Sequence, residues 1–120
     1  MTQTLTFTID GQPYGFGKNH ANFRRGNSQF AKWKREANKQ LMGQVKNVTP
    51  FTTPVHMMLD YVPGDRRVRD ATAILDGILH FLEASGIVEN DKLIKKISYV
   101  EHPKNPHNPR IQVTLFSLDM

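Results

Sequence analysis

The sequence contains no cysteine. Disulfides and thiolate metal sites are therefore excluded, and nothing in the chain calls for an oxidising compartment. No apolar stretch approaches the ~20 residues that span a bilayer. The opening Met1-Thr2-Gln3-Thr4-Leu5-Thr6-Phe7 lacks the basic start and apolar run of a secretory signal. The expectation is a soluble, cytoplasmic protein without a membrane partner. Acid is scarce in one half of the chain. Between positions 11 and 59 the single acid Glu36 faces eight basic residues: Lys18, Arg24, Arg25, Lys32, Lys34, Arg35, Lys39 and Lys46. Between positions 71 and 120 five basic residues meet six acidic ones. The net charge of +5 is thus concentrated in one half. Such a field suits a polyanion, whose neutralised phosphates release condensed counterions. A solvated, solubilising face is the other reading of the same charges.

With 120 residues the chain is one domain's worth, positions 1–120, and can form a core without staples. Leu5, Phe7 and Ile9 alternate with threonine and read as a strand that ends at Asp10-Gly11. Residues 11–28, rich in glycine, asparagine and basic side chains, read as a long exposed loop. A helix is expected over 28–45, where Phe30, Trp33, Ala37, Leu41 and Val45 make an apolar stripe; Lys32, Lys34, Arg35 and Lys39 take the other faces. A strand at 55–62 turns at Pro63-Gly64-Asp65, and a second helix follows over 71–84 with Gly86 at its C-terminal cap. After the connector 87–91, strands are expected over 93–100 and 111–115, separated by a loop at 104–109. No repeat or low-complexity tract interrupts this order. The sequence β-α-β-α-β-β predicts an α+β fold: a mixed sheet with two helices packed on it.

On a helical wheel the second helix divides cleanly. Ile74, Leu75, Ile78, Leu79 and Leu82 form the side expected to pack on the sheet. Thr72, Asp76, His80 and Glu83 form a narrow polar stripe, with Ala73, Gly77 and Ala84 beside it. A polar stripe is ordinary for a surface helix, but small neighbours leave room for another backbone or a ligand. Asp70 precedes this stripe and Asp91 follows the helix by one short connector. Spacing alone does not bring those two acids together.

The run Asp65-Arg66-Arg67-Val68-Arg69-Asp70, then Leu82-Glu83-Ala84-Ser85-Gly86-Ile87-Val88-Glu89-Asn90-Asp91, resembles the RusA family of Holliday junction resolvases. The family motif runs basic-Asp-x-Asp-Asn-x-x-Lys-x-x-x-Asp-x-Leu, then a glycine-apolar step and an Asp-Asp pair before a strand. The likeness spans residues 65–100 without a gap, and Gly11-Gln12-Pro13 before a basic loop is similar to the family's start. The resemblance implies a homodimer that binds four-way DNA junctions and cuts them with Mg²⁺, or Mn²⁺, held by aspartates. Two family acids are present, Asp70 and Asp91. Five positions depart from the pattern: Thr72 and Ala73 stand for Asp-Asn, Asp76 for lysine, His80 for the late helical aspartate, and Asn90 for the first acid of the pair.

Phosphodiester hydrolysis with Mg²⁺ uses hard oxygen ligands from several chain segments. Positions 72 and 76 lie about 6 Å apart on one helical face, so Asp76 is placed to return the carboxylate missing at 72. Asp70, Asp76 and Asp91 are accordingly the expected metal ligands and catalytic residues. Thr72 and His80 stand behind them, with His80 one turn on from Asp76. Lys18, Arg24, Arg25, Arg66, Arg67 and Arg69 are the expected DNA-binding residues. The alternative reading of the departures is an inactive homologue that binds junctions without cutting. A third reading is an unrelated basic module for RNA or single strands, with Phe16, Phe23 and Phe30 as stacking platforms or as hydrophobic anchors. His80, His102 and His107 lack the tight spacing of a metal site. Gly15-Phe16-Gly17-Lys18 lacks the spacing and trailing hydroxyl of a phosphate loop.

Overall fold

The computed structural model describes residues 3–13, 29–47, 49–66 and 71–118. Its elements are β1 (Thr4–Asp10), α1 (Gln29–Gln44), β2 (Val55–Val62), α2 (Ala71–Ala84), a 3-10 turn (Asp91–Leu93), β3 (Ile94–Glu101) and β4 (Arg110–Ser117). This is the β-α-β-α-β-β order anticipated from the sequence. β2 and α2 have the expected bounds, whereas Leu93 belongs to the turn and β3 starts one residue later. The four strands form one mixed sheet in the order β1-β4-β2-β3. β4 pairs antiparallel with both β1 and β2, while β3 lies parallel to β2 at the edge. A parallel neighbour needs a crossover, and α2 supplies it.

Register decides which side chains share a face. Phe7 lies opposite Val113, Val113 opposite Leu59, and Leu59 opposite Tyr99, so one row runs across all four strands. With period two, the odd-numbered residues of β1, β2 and β4 all point to one side. Both helices cover that side. Ile9, Met57, Leu59, Ile111, Val113 and Leu115 are at most 1% exposed, in one cluster with Trp33 and Ala37 of α1 and Ile74, Ile78 and Leu82 of α2. Phe81 joins them, fully buried, with its ring edge against Trp33 at 5.4 Å. Phe81 is not among the residues the wheel assigns to the sheet. It adjoins Ile74 on the wheel and is covered by Trp33 of α1.

α1 also closes the outer edge of β1. Gln40 Oε1 accepts the Asp10 N–H at 2.7 Å and Gln44 Oε1 accepts the Thr8 N–H at 2.9 Å. Their Nε2 groups donate back to the carbonyls of Asp10 and Thr8. Two glutamines one helical turn apart thus satisfy backbone groups that an edge strand otherwise offers to another chain. No helix among the described residues is long and apolar enough to cross a membrane.

Candidate functional site

α2 presents Thr72, Asp76 and Glu83 as exposed residues, as the wheel required, and His80 as a half-buried one. The difference again comes from α1. Phe30, itself 2% exposed, sets its ring edge-on to the His80 imidazole at 5.6 Å. Phe30 is therefore a core residue rather than a stacking platform. Lys34, one turn along α1 from Phe30, brings Nζ to 3.4 Å from His80 Nε2. Burial, and secondarily the Lys34 charge, hold the His80 pKa below the ordinary histidine value; Glu83 and Asp91 pull it the other way. Neutral imidazole has one donor and one acceptor, and an ammonium only donates, so Nε2 accepts and Nδ1 carries the proton.

The return of Asp91 to this helix is built in three steps. Gly86, at φ +80°, ends α2: its N–H bonds the Glu83 carbonyl at 3.1 Å and the Ile87 N–H bonds the Leu82 carbonyl at 3.0 Å. This is the left-handed cap that favours glycine, with Ile87 buried behind it. The connector is then pinned to Phe51, whose N–H bonds the Ile87 carbonyl at 2.8 Å and whose carbonyl accepts the Glu89 N–H at 2.9 Å. Finally Asn90 Oδ1 accepts the Lys92 N–H at 2.8 Å, and the Asp91 N–H donates to Glu83 Oε1 at 3.0 Å. Asn90 caps the turn as aspartate does, while removing one negative charge. Asp91 therefore sits beside the last turns of α2, within electrostatic reach of His80.

A second arrangement concerns the basic segments. Gln12 follows β1 and bridges to the end of β2: its Oε1 accepts the Gly64 N–H at 2.9 Å, and its Nε2 donates to the Tyr61 hydroxyl. The Gly11 N–H bonds the Pro109 carbonyl at 2.8 Å. Residue 13, which leads to Lys18, Arg24 and Arg25, and residue 65, which leads to Arg66, Arg67, Arg69 and Asp70, are thereby rooted side by side. The junction is close-packed: a Cβ at Gly64 would stand 3.1 Å from the Pro109 ring, a tighter contact than side chains ordinarily make. Arg66 is exposed. Lys18, Arg24, Arg25, Arg67, Arg69 and Asp70 lie outside the described residues, as do Phe16 and Phe23.

His102 is placed elsewhere. His102 Nε2 lies 2.8 Å from Asp60 Oδ1, on the side of the sheet opposite the helices. That pair lines an open cleft of about 450 Å³ with Lys104, Arg110 and Gln112. Among the described residues, no three histidine, aspartate or glutamate side chains form a metal-holding group. The placement of Lys34 and the Gln12 clamp were not visible in the sequence, because neither contact has a period or a spacing to betray it. The chain matches no family model and no curated protein.

Proposed function

We propose that this protein is a structure-selective DNA endonuclease that resolves four-way junctions, with the phosphodiester hydrolysis dependent on Mg²⁺ or Mn²⁺. The observation that carries the reading is the return of Asp91 to the polar face of α2, the helix that begins one residue after Asp70. The resemblance requires acids from two segments at one place, and the Glu83–Asp91 hydrogen bond holds the second segment beside the last turns of α2, on the stripe that also carries Asp76. The shared root of residues 12 and 64, from which the two basic segments set out in the sequence, adds support.

The donor set is chemically suitable for a hard divalent cation: exposed Asp76 and half-exposed Asp91 offer carboxylate oxygens. These two do not complete a metal site, and Asp70 is the third ligand the proposal assigns. A bound divalent cation supplies Lewis acidity at the phosphoryl oxygen and lowers the pKa of a coordinated water. The protein's own part is to hold the phosphates with Arg66, Arg67, Arg69, Lys18, Arg24 and Arg25 and to position the acids against the scissile bond. A four-way junction calls for two matched nicks, which a two-fold homodimer delivers. The second reading, junction binding without cleavage, is favoured by Thr72 and Ala73 in place of an acid and an amide.

One assay separates these. Purified protein is incubated with labelled four-way junctions and with linear duplex, in Mg²⁺, Mn²⁺ or EDTA. The proposal expects symmetric nicks in metal and none in EDTA, abolished by Asp70→Asn without loss of junction binding. Binding without nicks supports the second reading. Equal affinity for both DNAs removes junction selectivity, and normal cutting by Asp70→Asn removes the assignment of that acid.

A further inference from the structure

We infer that the open cleft on the helix-free side of the sheet is a binding site for a phosphate group, held by Arg110 and Lys104. None of the residues assigned to cleavage above takes part, so the inference goes beyond that reading and does not depend on it.

The cleft, of about 450 Å³, lies where β2 and β4 meet the loop after β3. Its charge balance favours an anion. Asp60 is the one acid among the described lining residues, and its Oδ1 lies 2.8 Å from His102 Nε2. A carboxylate only accepts, so Nε2 carries the proton and donates it to this bond. Lys104 and Arg110 thus face a single acid that is already engaged, and among the described residues neither cation is ion-paired. A metal ion would have to break the Asp60–His102 bond and sit beside both cations, which opposes a cation here. A phosphate instead meets a guanidinium, an ammonium and the Gln112 amide, the donors that its oxygens accept from.

The site is also built in advance. Arg110 is half-buried, and its Nη1 donates to the Asn108 carbonyl at 2.9 Å, which fixes the guanidinium and leaves its other N–H groups for a ligand. The loop that carries His102 and Lys104 is tied to the end of β2. The His102 N–H bonds the Tyr61 carbonyl at 2.8 Å, and the Asn105 N–H bonds the Pro63 carbonyl at 2.8 Å. Asn105 Oδ1 in turn accepts the His107 N–H at 3.1 Å. A loop already held loses little freedom when a ligand arrives. Two sources share the required chemistry: the backbone of a nucleic acid and a free phosphate ester.

The test is a titration of backbone amide shifts in the full chain at fixed ionic strength. Inorganic phosphate, thymidine monophosphate and a short oligothymidylate are the probes, and chloride is the comparison. Saturable shifts at His102, Asn105 and Gln112 are expected with the phosphate probes and not with chloride. Saturation by the oligonucleotide at a tenfold lower concentration, or lower still, assigns the source to nucleic acid; equal affinities assign it to a free phosphate ester. No saturable shift with any of the three overturns the inference. Arg110→Gln is expected to weaken binding about tenfold, as loss of a charged hydrogen bond does. Lys104→Gln is expected to weaken it as well, and Asp60→Asn to tighten it. Lys96→Gln, the same charge change on the same side of the sheet, lies outside the cleft and is expected to leave binding unchanged. Lys104 is exposed, so its replacement leaves the core intact and decides the matter where Arg110→Gln fails to fold. Affinity unchanged in both cleft variants, or weakened equally by Lys96→Gln, means diffuse attraction and overturns the site. Zn²⁺ that shifts the same amides where phosphate does not overturns the choice of an anion. A protein that takes phosphate in the cleft yet neither binds nor cuts junctions overturns the cleavage reading alone. One that cuts junctions with no shift in the cleft overturns this inference alone.

Discussion

Two histidines are held below their ordinary pKa by the fold, and together they make stability depend on pH. His80 is half-buried beside the Lys34 ammonium; burial is the larger cause of its lowered pKa. His56, 8% exposed on the opposite face of the sheet, is lowered by burial first and by Lys96 second. Its Nε2 lies 2.9 Å from Ser98 Oγ and its ring stands edge-on to Phe116. In the unfolded chain both titrate near ~6.5. Below that pH the unfolded state binds protons that the folded state refuses, so stability falls as pH drops through the window between the unfolded and folded values. It levels off once the folded values are passed, and these groups contribute no slope well above ~6.5. Urea midpoints should therefore be lower at about pH 5 than at about pH 7.5, with the difference reduced in a His56→Gln/His80→Gln double variant. A midpoint that rises on acidification would contradict the burial of both rings.

At the scale of elements, the end of α2 is where local backbone chemistry reaches the candidate site. Gly86 at φ +80° has no heavy atom within 4 Å of where a Cβ would stand, so Gly86→Ala tests the backbone and not packing. The left-handed conformation costs a non-glycine residue roughly 1–2 kcal/mol. A loss of that size in unfolding free energy is expected, read from denaturant curves at unchanged m-value. Because the Gly86 cap sets the course of the chain through Ile87 and Val88 to Asp91, the variant should also weaken any cleavage beyond its effect on the folded fraction. An unaltered denaturant midpoint would mean that the cap does not hold the helix end. The same logic explains Gln40 and Gln44: their amides occupy the β1 edge only because α1 runs alongside it. In the sequence they read as two more polar residues on a helix.

For the whole molecule, the sheet divides two environments. The helical side holds the core, Lys34 with His80, and the approach of Asp91. The other side carries the Asp60–His102 pair and the exposed apolar residues Met58 and Val100, 40% and 50% exposed. The proposed two-nick reaction needs two chains. Sedimentation at the concentrations that bind a junction should report twice the mass of one chain, before and after DNA is added. A single-chain mass throughout would leave the protein able to nick but not to resolve symmetrically.

Much of this architecture is carried by local pattern. The alternation at Leu5, Phe7 and Ile9, the stripe of Phe30, Trp33, Ala37 and Leu41, and the glycine at 86 are properties of neighbouring residues. Burial and backbone preference act on them before any tertiary contact forms, so element order and most of the core were determined by the sequence alone. The polar stripe of α2 was legible for the same reason. Tertiary structure decided the rest. Insertion of β4 between β1 and β2, the covering of Phe81 by Trp33 of α1, and the clamp from Gln12 to Gly64 join positions far apart in the chain. So do the approach of Lys34 to His80 and the pinning of the connector to Phe51. Such contacts are chosen by which packing buries the most apolar surface with every backbone group paired, and that choice is made over the whole chain, leaving no period or spacing at any one stretch.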